Sequence, residues 1–179
     1  WWVKKNIFDD PLASQVDPET GKTIKAYQFI SNNNLARTFD ITGATLNFSY
    51  RWTYTGANKT LLATNSSLTA NSILSIDGNT YNKVNCGGLF DGDMIVSNAT
   101  ISKLTFTNTN TGSFATVTNS NTIDTVVFMG RGRIYNLNNI GYLNTQRTAS
   151  ILGSKNTFGT ILAQDNFTVS TTDTTTVDS

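Results

Sequence analysis

The sequence predicts an all-β fold, a parallel β-helix-like region preceded by a smaller β-rich N-terminal part. Three observations carry this expectation. Asn, Thr and Ser supply more than a third of the 179 residues, the strong helix formers are thin, and Glu19 is the only glutamate. Short runs of alternating apolar residues recur between Asn- and Gly-containing turns. The segment Ile101-Ser-Lys-Leu104-Thr-Phe106 is echoed twenty-two residues later by Ile123-Asp-Thr-Val126-Val-Phe128.

Residues 1–30 stand apart as an N-terminal segment holding Pro11, Pro18 and Glu19. Asp17-Pro18-Glu19-Thr20-Gly21-Lys22 has turn chemistry, with proline to set φ and glycine to admit φ > 0. A strand is expected over Thr23 to Ile30, broken by Asn32-Asn33-Asn34. Residues 31–87 read as a β-rich segment. Its longest strand, Thr45 to Tyr54, sets Leu46, Phe48, Tyr50 and Trp52 on one face. Shorter strands follow at Ser72 to Asp77, ended by Asp77-Gly78, and at Thr80 to Val84. Residues 88–170 form the β-helix-like region, and 171–179 a Thr-rich linker or truncated end. The chain opens Trp1-Trp2-Val3-Lys4-Lys5, without a methionine or a secretory apolar run, so processing or truncation at both ends is expected.

The repeat gives the architecture. Ile134-Tyr-Asn-Leu137 and Ile140-Gly-Tyr-Leu143 carry the same Ile-x-x-Leu start, and Ser113 to Val117 adds a brief alternating strand between the two best copies. Strands about eleven residues apart, joined by Asn, Thr and Gly, suit coils that stack like residues over like. Apolar side chains then form internal ladders, and asparagines cap the corners. An antiparallel sandwich also spaces its strands at about eight to twelve residues and is the competing architecture.

Several function classes are disfavoured. Thirteen Lys and Arg against twelve Asp and Glu leave no charge excess to attract nucleic acid or an anionic membrane. Histidine is absent from the sequence, which removes the commonest general base and metal ligand. Cys86 is the only cysteine, so an intrachain disulfide is excluded; between Val84 and Leu89 it reads as a small buried hydrophobe. No apolar run reaches bilayer-spanning length.

Candidate motifs have simpler readings. Gly21-Lys22-Thr23 resembles the end of a phosphate loop, but Val16 stands where that loop needs glycine. Gly130-Arg131-Gly132-Arg133 is a single copy with no helix after it and reads as a solvated turn. Among the central acids Asp77, Asp91, Asp93 and Asp124, the pair in Phe90-Asp91-Gly92-Asp93 has the residue type of a calcium or glycosidase site. One intervening residue and no further ligands favour a turn, and Asp124 reads as a solvent-facing strand position. Five Asn-x-Ser/Thr sequons, at Asn47, Asn58, Asn65, Asn98 and Asn166, are expected by chance in such a composition. Trp1, Trp2, Tyr27, Phe29, Phe48, Tyr50, Trp52 and Tyr54 crowd the first third, where core filling is the plainer account and ligand stacking the alternative.

Gly88-Leu-Phe-Asp-Gly-Asp-Met-Ile-Val96, the Ile101 and Ile123 repeats, and Gly132-Arg-Ile-Tyr-Asn-Leu-Asn-Asn-Ile140 together resemble β-solenoid proteins of tailed bacteriophage virions. The resemblance covers roughly residues 87–165. It implies a non-enzymatic fibre, spike or baseplate-attached component on the virion surface. Residues 1–30 would attach to other virion proteins, and the β-structure would point outward to scaffold and to bind a host-surface glycan or protein. A β-helix end and exposed strand edges need covering by a cap or another chain, so a homo-oligomer, most simply a trimer, is expected, without nucleic acid or membrane insertion. Bacterial autotransporter passengers on the cell surface share this Asn/Thr-rich look, and some spikes cleave polysaccharide with paired carboxylates. No position matches a defined family site, so the resemblance assigns no catalytic, cofactor-binding or metal-binding residue.

Overall fold

The computed structural model describes residues 14–16, 23–24, 26–31, 37–54, 59–88 and 91–178. Nineteen strands and no helix occur among them. The first six are β1 (Ser14–Val16), β2 (Thr23–Ile24), β3 (Ala26–Ser31), β4 (Arg37–Asp40), β5 (Thr45–Tyr54) and β6 (Lys59–Leu62). Then come β7 (Ser66–Ala70), β8 (Ile73–Asp77), β9 (Thr80–Cys86), β10 (Met94–Ser97), β11 (Thr100–Phe106), β12 (Phe114–Thr118) and β13 (Thr122–Phe128). The last six are β14 (Arg131–Ile134), β15 (Asn139–Thr145), β16 (Ala149–Ile151), β17 (Thr157–Ala163), β18 (Phe167–Val169) and β19 (Thr176–Val177).

The strands wind into a β-solenoid of about seven turns. Two parallel ladders run along it. In sheet 1, β5 pairs with β7, β7 with β9, and so on through β11, β13, β15, β17 and β19. In sheet 2, β5 pairs with β8, and the ladder continues through β10, β12, β14, β16 and β18. The ten-residue β5 therefore serves both sheets, residues 45–48 in one and 51–53 in the other. Among the described residues, antiparallel pairing is confined to β1, which meets β2 and β5. The ladder runs without a break across position 88, since β9 and β11 pair over six positions. It reaches into the Thr-rich end as well, where Thr176 and Val177 pair with Thr157 and Phe158.

The repeat seen in the sequence is the stacking register. Ile101 lies beside Ile123, Leu104 beside Val126 and Phe106 beside Phe128, all fully buried. The next coil adds Ile140 and Leu143 in the same columns, as the sequence predicts. The three-residue step from Ile101 to Leu104 has a local cause. Ser102 and Lys103 both face outward, so the strand departs from strict alternation, and β13 and β15 repeat the departure.

One expected repeat is corrected. Ile134-Tyr-Asn-Leu137 is not a sheet 1 rung: Ile134 ends a sheet 2 strand between Val117 and Ile151, while Leu137 is 51% exposed with φ of 64°. Leu137 occupies a corner, where left-handed backbone turns the chain and the side chain is thrown outward. Ser120 and Lys155 hold the same conformation, one residue before Asn121 and Asn156, as Leu137 does before Asn138.

Core volume is shared between the two sheets. Coil by coil, the last inward residue of sheet 1 and the first of sheet 2 are Ala70 and Leu74, Cys86 and Met94, Phe106 and Ala115, then Phe128 and Gly132. Small is matched with large in these four coils, and the large partner changes sheets between the second and third of them. A Cβ on Gly132 would stand 2.1 Å from a Phe128 ring carbon. Close packing at native density therefore demands glycine there.

Candidate interaction surfaces

Outward strand positions carry the chemistry that the core does not use. On sheet 1, Lys83 and Lys103 are exposed register neighbours on β9 and β11. They border an open groove of about 480 Å³ flanked by Ser67, Thr69, Asn85 and Thr105, with Leu68 and Val84 also lining it. Two ammonium groups side by side across a ladder repel each other. Neither has an ion-pair partner among the described residues. Asp124 lies further along the same face and is exposed, as the sequence predicts.

On sheet 2, the guanidinium carbons of Arg131 and Arg133 lie 4.0 and 3.7 Å from the centre of the Phe114 ring. Phe114 projects outward from β12, and both arginines from β14 in the next coil. A cation above an aromatic face is held by the ring quadrupole, so one phenylalanine positions two charges. This corrects the reading of Gly130-Arg131-Gly132-Arg133 as a solvated turn. Residues 131–134 are a ladder strand, and both glycines are buried. A Cβ on Gly130 would strike the Asn108 carbonyl oxygen and approach the Phe106 ring. The glycines make room for two core aromatics, while Arg131 between them and Arg133 after them face outward.

The acids have structural partners. Asp93 accepts the backbone N–H of Phe114 at 2.8 Å, tying one coil to the next. Asp77 accepts from the Ser97 hydroxyl at 2.8 Å and the Asn98 amide at 2.7 Å, also one coil on. The Asp91 carbonyl oxygen accepts from the Ser72 hydroxyl at 2.8 Å. No group of three metal-ligating His, Cys, Asp or Glu side chains occurs among the described residues. Asp40, whose carboxylate accepts the Thr42 backbone N–H, has its carboxyl held below the usual range by that bond.

Other sequence candidates divide cleanly. Cys86 is fully buried, and its thiol donates to the Ser72 carbonyl at 3.2 Å. Burial, helped by the charge of Asp93, pushes this thiol up to about 12. Phe48 and Trp52 are core, with ring centres 5.3 Å apart, whereas Tyr50 is half-exposed beneath the Arg51 guanidinium. Asn65, Asn98 and Asn166 are exposed and Asn47 is half-buried. Asn58, Trp1, Trp2, Gly21, Lys22 and the side chains of Tyr27, Phe29 and Tyr54 lie outside the described residues.

No family model, curated protein or solved structure matches the chain. The lysine groove and the Phe114 cluster are absent from the sequence reading. Their members are far apart in sequence, and only the register brings them together.

Proposed function

We propose that this chain is a non-enzymatic structural component of a tailed-bacteriophage virion, a tail fibre, spike or baseplate-attached part. It scaffolds the particle surface as a homo-oligomer and binds the host surface. The observation that carries this reading is the uninterrupted parallel ladder from β5 to β19. Every coil is tied to the next through backbone bonds and stacked side chains, so the molecule is a stiff spacer along the solenoid axis. Two of its central acids support the same reading, because the Asp77 and Asp93 carboxylates each accept hydrogen bonds from the next coil. Attachment through residues 1–30 would leave the solenoid pointing outward, toward a host glycan or protein.

The test is immunolabelling of purified virions from the source phage with antibody raised against the recombinant solenoid. The expected result is periodic decoration of tail or baseplate in electron micrographs. Unlabelled particles, with the antigen confined to the bacterial envelope, would replace this proposal with a bacterial surface adhesin.

A further inference from the structure

Charge on the outward surface is sorted by coil. The coil of β9 and β10 carries Lys83 on sheet 1 and, at the start of its sheet 2 side, Asp93. Two coils further on, β13 and β14 carry Asp124 on sheet 1 and Arg131 with Arg133 on sheet 2. Between them, the coil of β11 and β12 has Lys103 on sheet 1 and the Phe114 ring on sheet 2. Over these three coils the order of signs along one sheet is the reverse of the order along the other.

Shape and composition follow the same division. The sheet 1 groove lies around the coil of Lys83, and its outward side chains include Ser67, Thr69, Asn85 and Thr105, because Leu68 and Val84 beneath it are buried in the core. At the same height sheet 2 presents Ile95, a large aliphatic side chain 45% exposed in the middle of β10. Phe114 and the two arginines stand beside it along the axis. Aromatic residues and arginine are what protein interfaces concentrate at their centres. Phe114 also restrains both guanidinium groups before any partner arrives, which lowers the ordering cost of docking.

We propose that copies of this chain associate side by side with their coils at equal height, sheet 1 of one copy against sheet 2 of the next. Asp124 pairs with Arg131 and Arg133, Lys83 pairs with Asp93, and Ile95 enters the groove. Face-to-face contact of like sheets at equal height opposes these arrangements: it sets Lys83 against Lys83, or four guanidinium groups together. The sheet 1 to sheet 2 contact is heterologous, and repetition closes it into a ring when the rotation allows. The proposal specifies an interface and stands independently of where on a particle, or on which particle, the chain resides.

Sedimentation velocity at micromolar concentration and about 0.15 M salt tests it. The wild-type chain sediments as an oligomer whose association weakens as salt rises. Asp124→Arg, an exposed change, weakens association by about tenfold or more. The charge-inverted variant Asp124→Arg/Arg131→Asp/Arg133→Asp recovers it. Lys83→Asp repeats the test away from the Phe114 cluster and also weakens association. Circular dichroism and thermal melting establish that each variant is folded. A wild-type chain that remains monomeric, or an Asp124→Arg and a Lys83→Asp variant that both associate like wild type, overturns the proposal.

Discussion

Asn121 donates through Nδ2 to Oδ1 of Asn138 at 2.8 Å, and Asn138 repeats the bond to Asn156 at 3.0 Å. Each acceptor oxygen also takes the backbone N–H of the asparagine in the preceding coil, at 3.3 and 3.0 Å. The three side chains are buried. They satisfy the polar groups of a corner where the chain passes through left-handed backbone and cannot continue the strand ladder. Asn138→Leu removes the middle member and leaves the buried backbone N–H of Asn121 without its acceptor, while Asn121 Nδ2 keeps the Thr118 and Val96 carbonyls. We expect a loss of roughly 2–4 kcal/mol, read from urea unfolding. A loss below about 0.5 kcal/mol would mean that the ladder is incidental to stability.

Ile123 is packed between Ile101 and Ile140 in the sheet 1 column. Ile123→Asp would place a carboxylate in that dry column with no cation to meet it. The expected cost is at least about 3 kcal/mol, and more if the group stays charged. The conservative Ile123→Val should cost only about 1 kcal/mol. Equal effects of the two changes, compared by thermal melting, would contradict a stacked core at this position.

Gly132 and Phe128 should be energetically coupled. Gly132→Ala alone forces the Phe128 ring out of its place and should cost about 1–3 kcal/mol. Phe128→Leu alone leaves a void and should cost a similar amount. The double variant should fall short of the sum by about 1 kcal/mol or more, measured in a double-mutant cycle. Strict additivity would show that the two sites do not share space.

Cys86 gives a signature in pH. Its thiol rises from 9.0 to about 12 on folding, so the folded state holds the proton more tightly than the unfolded state. The associated stability is complete below pH 9.0 and is lost as pH rises toward 12. The slope is at most about 1.4 kcal/mol per pH unit. Cys86→Ala should flatten this alkaline limb relative to wild type in denaturant titrations. Thiol labelling at pH 8 should be slow in the native protein and fast in urea; rapid native labelling would contradict the buried, protonated thiol.

The aspartates of the Asp91-Gly92-Asp93 segment predict a contrast. Asp93→Asn keeps an oxygen acceptor for the Phe114 N–H and should change stability by less than about 0.5 kcal/mol. Asp93→Ala removes the acceptor and should cost about 1 kcal/mol. Asp91→Asn leaves the backbone carbonyl that Ser72 uses and should be neutral. Loss of a polysaccharide-cleaving activity in either Asn variant would favour an enzymatic spike over a scaffold.

Fold class and the sheet 1 columns were legible in the sequence because a stacked coil demands the same residue type at the same register. Ile101, Ile123 and Ile140 are apolar for one shared reason, and they are spaced closely enough to be recognised. The steps between successive coils vary, however, at 20, 22, 17 and 18 residues from Tyr81 to Phe158. Corner loops absorb this variation, so a fixed spacing of about eleven residues mistook Ile134 and Leu137 for a rung of sheet 1. Gly132 could not be understood alone, because its cause is the Phe128 ring that fills the space a side chain would need. Likewise Lys83 and Lys103 became a groove edge, and Phe114 a seat for Arg131 and Arg133, only when parallel pairing set residues from successive coils side by side. The sequence by itself determined the alternation of strand and turn and the apolar identity of the repeated inward positions, because these follow from local pattern and burial. The tertiary structure decided which outward residues became neighbours, because outward contacts depend on inter-coil register, and loops of unequal length hide that register from any periodic reading.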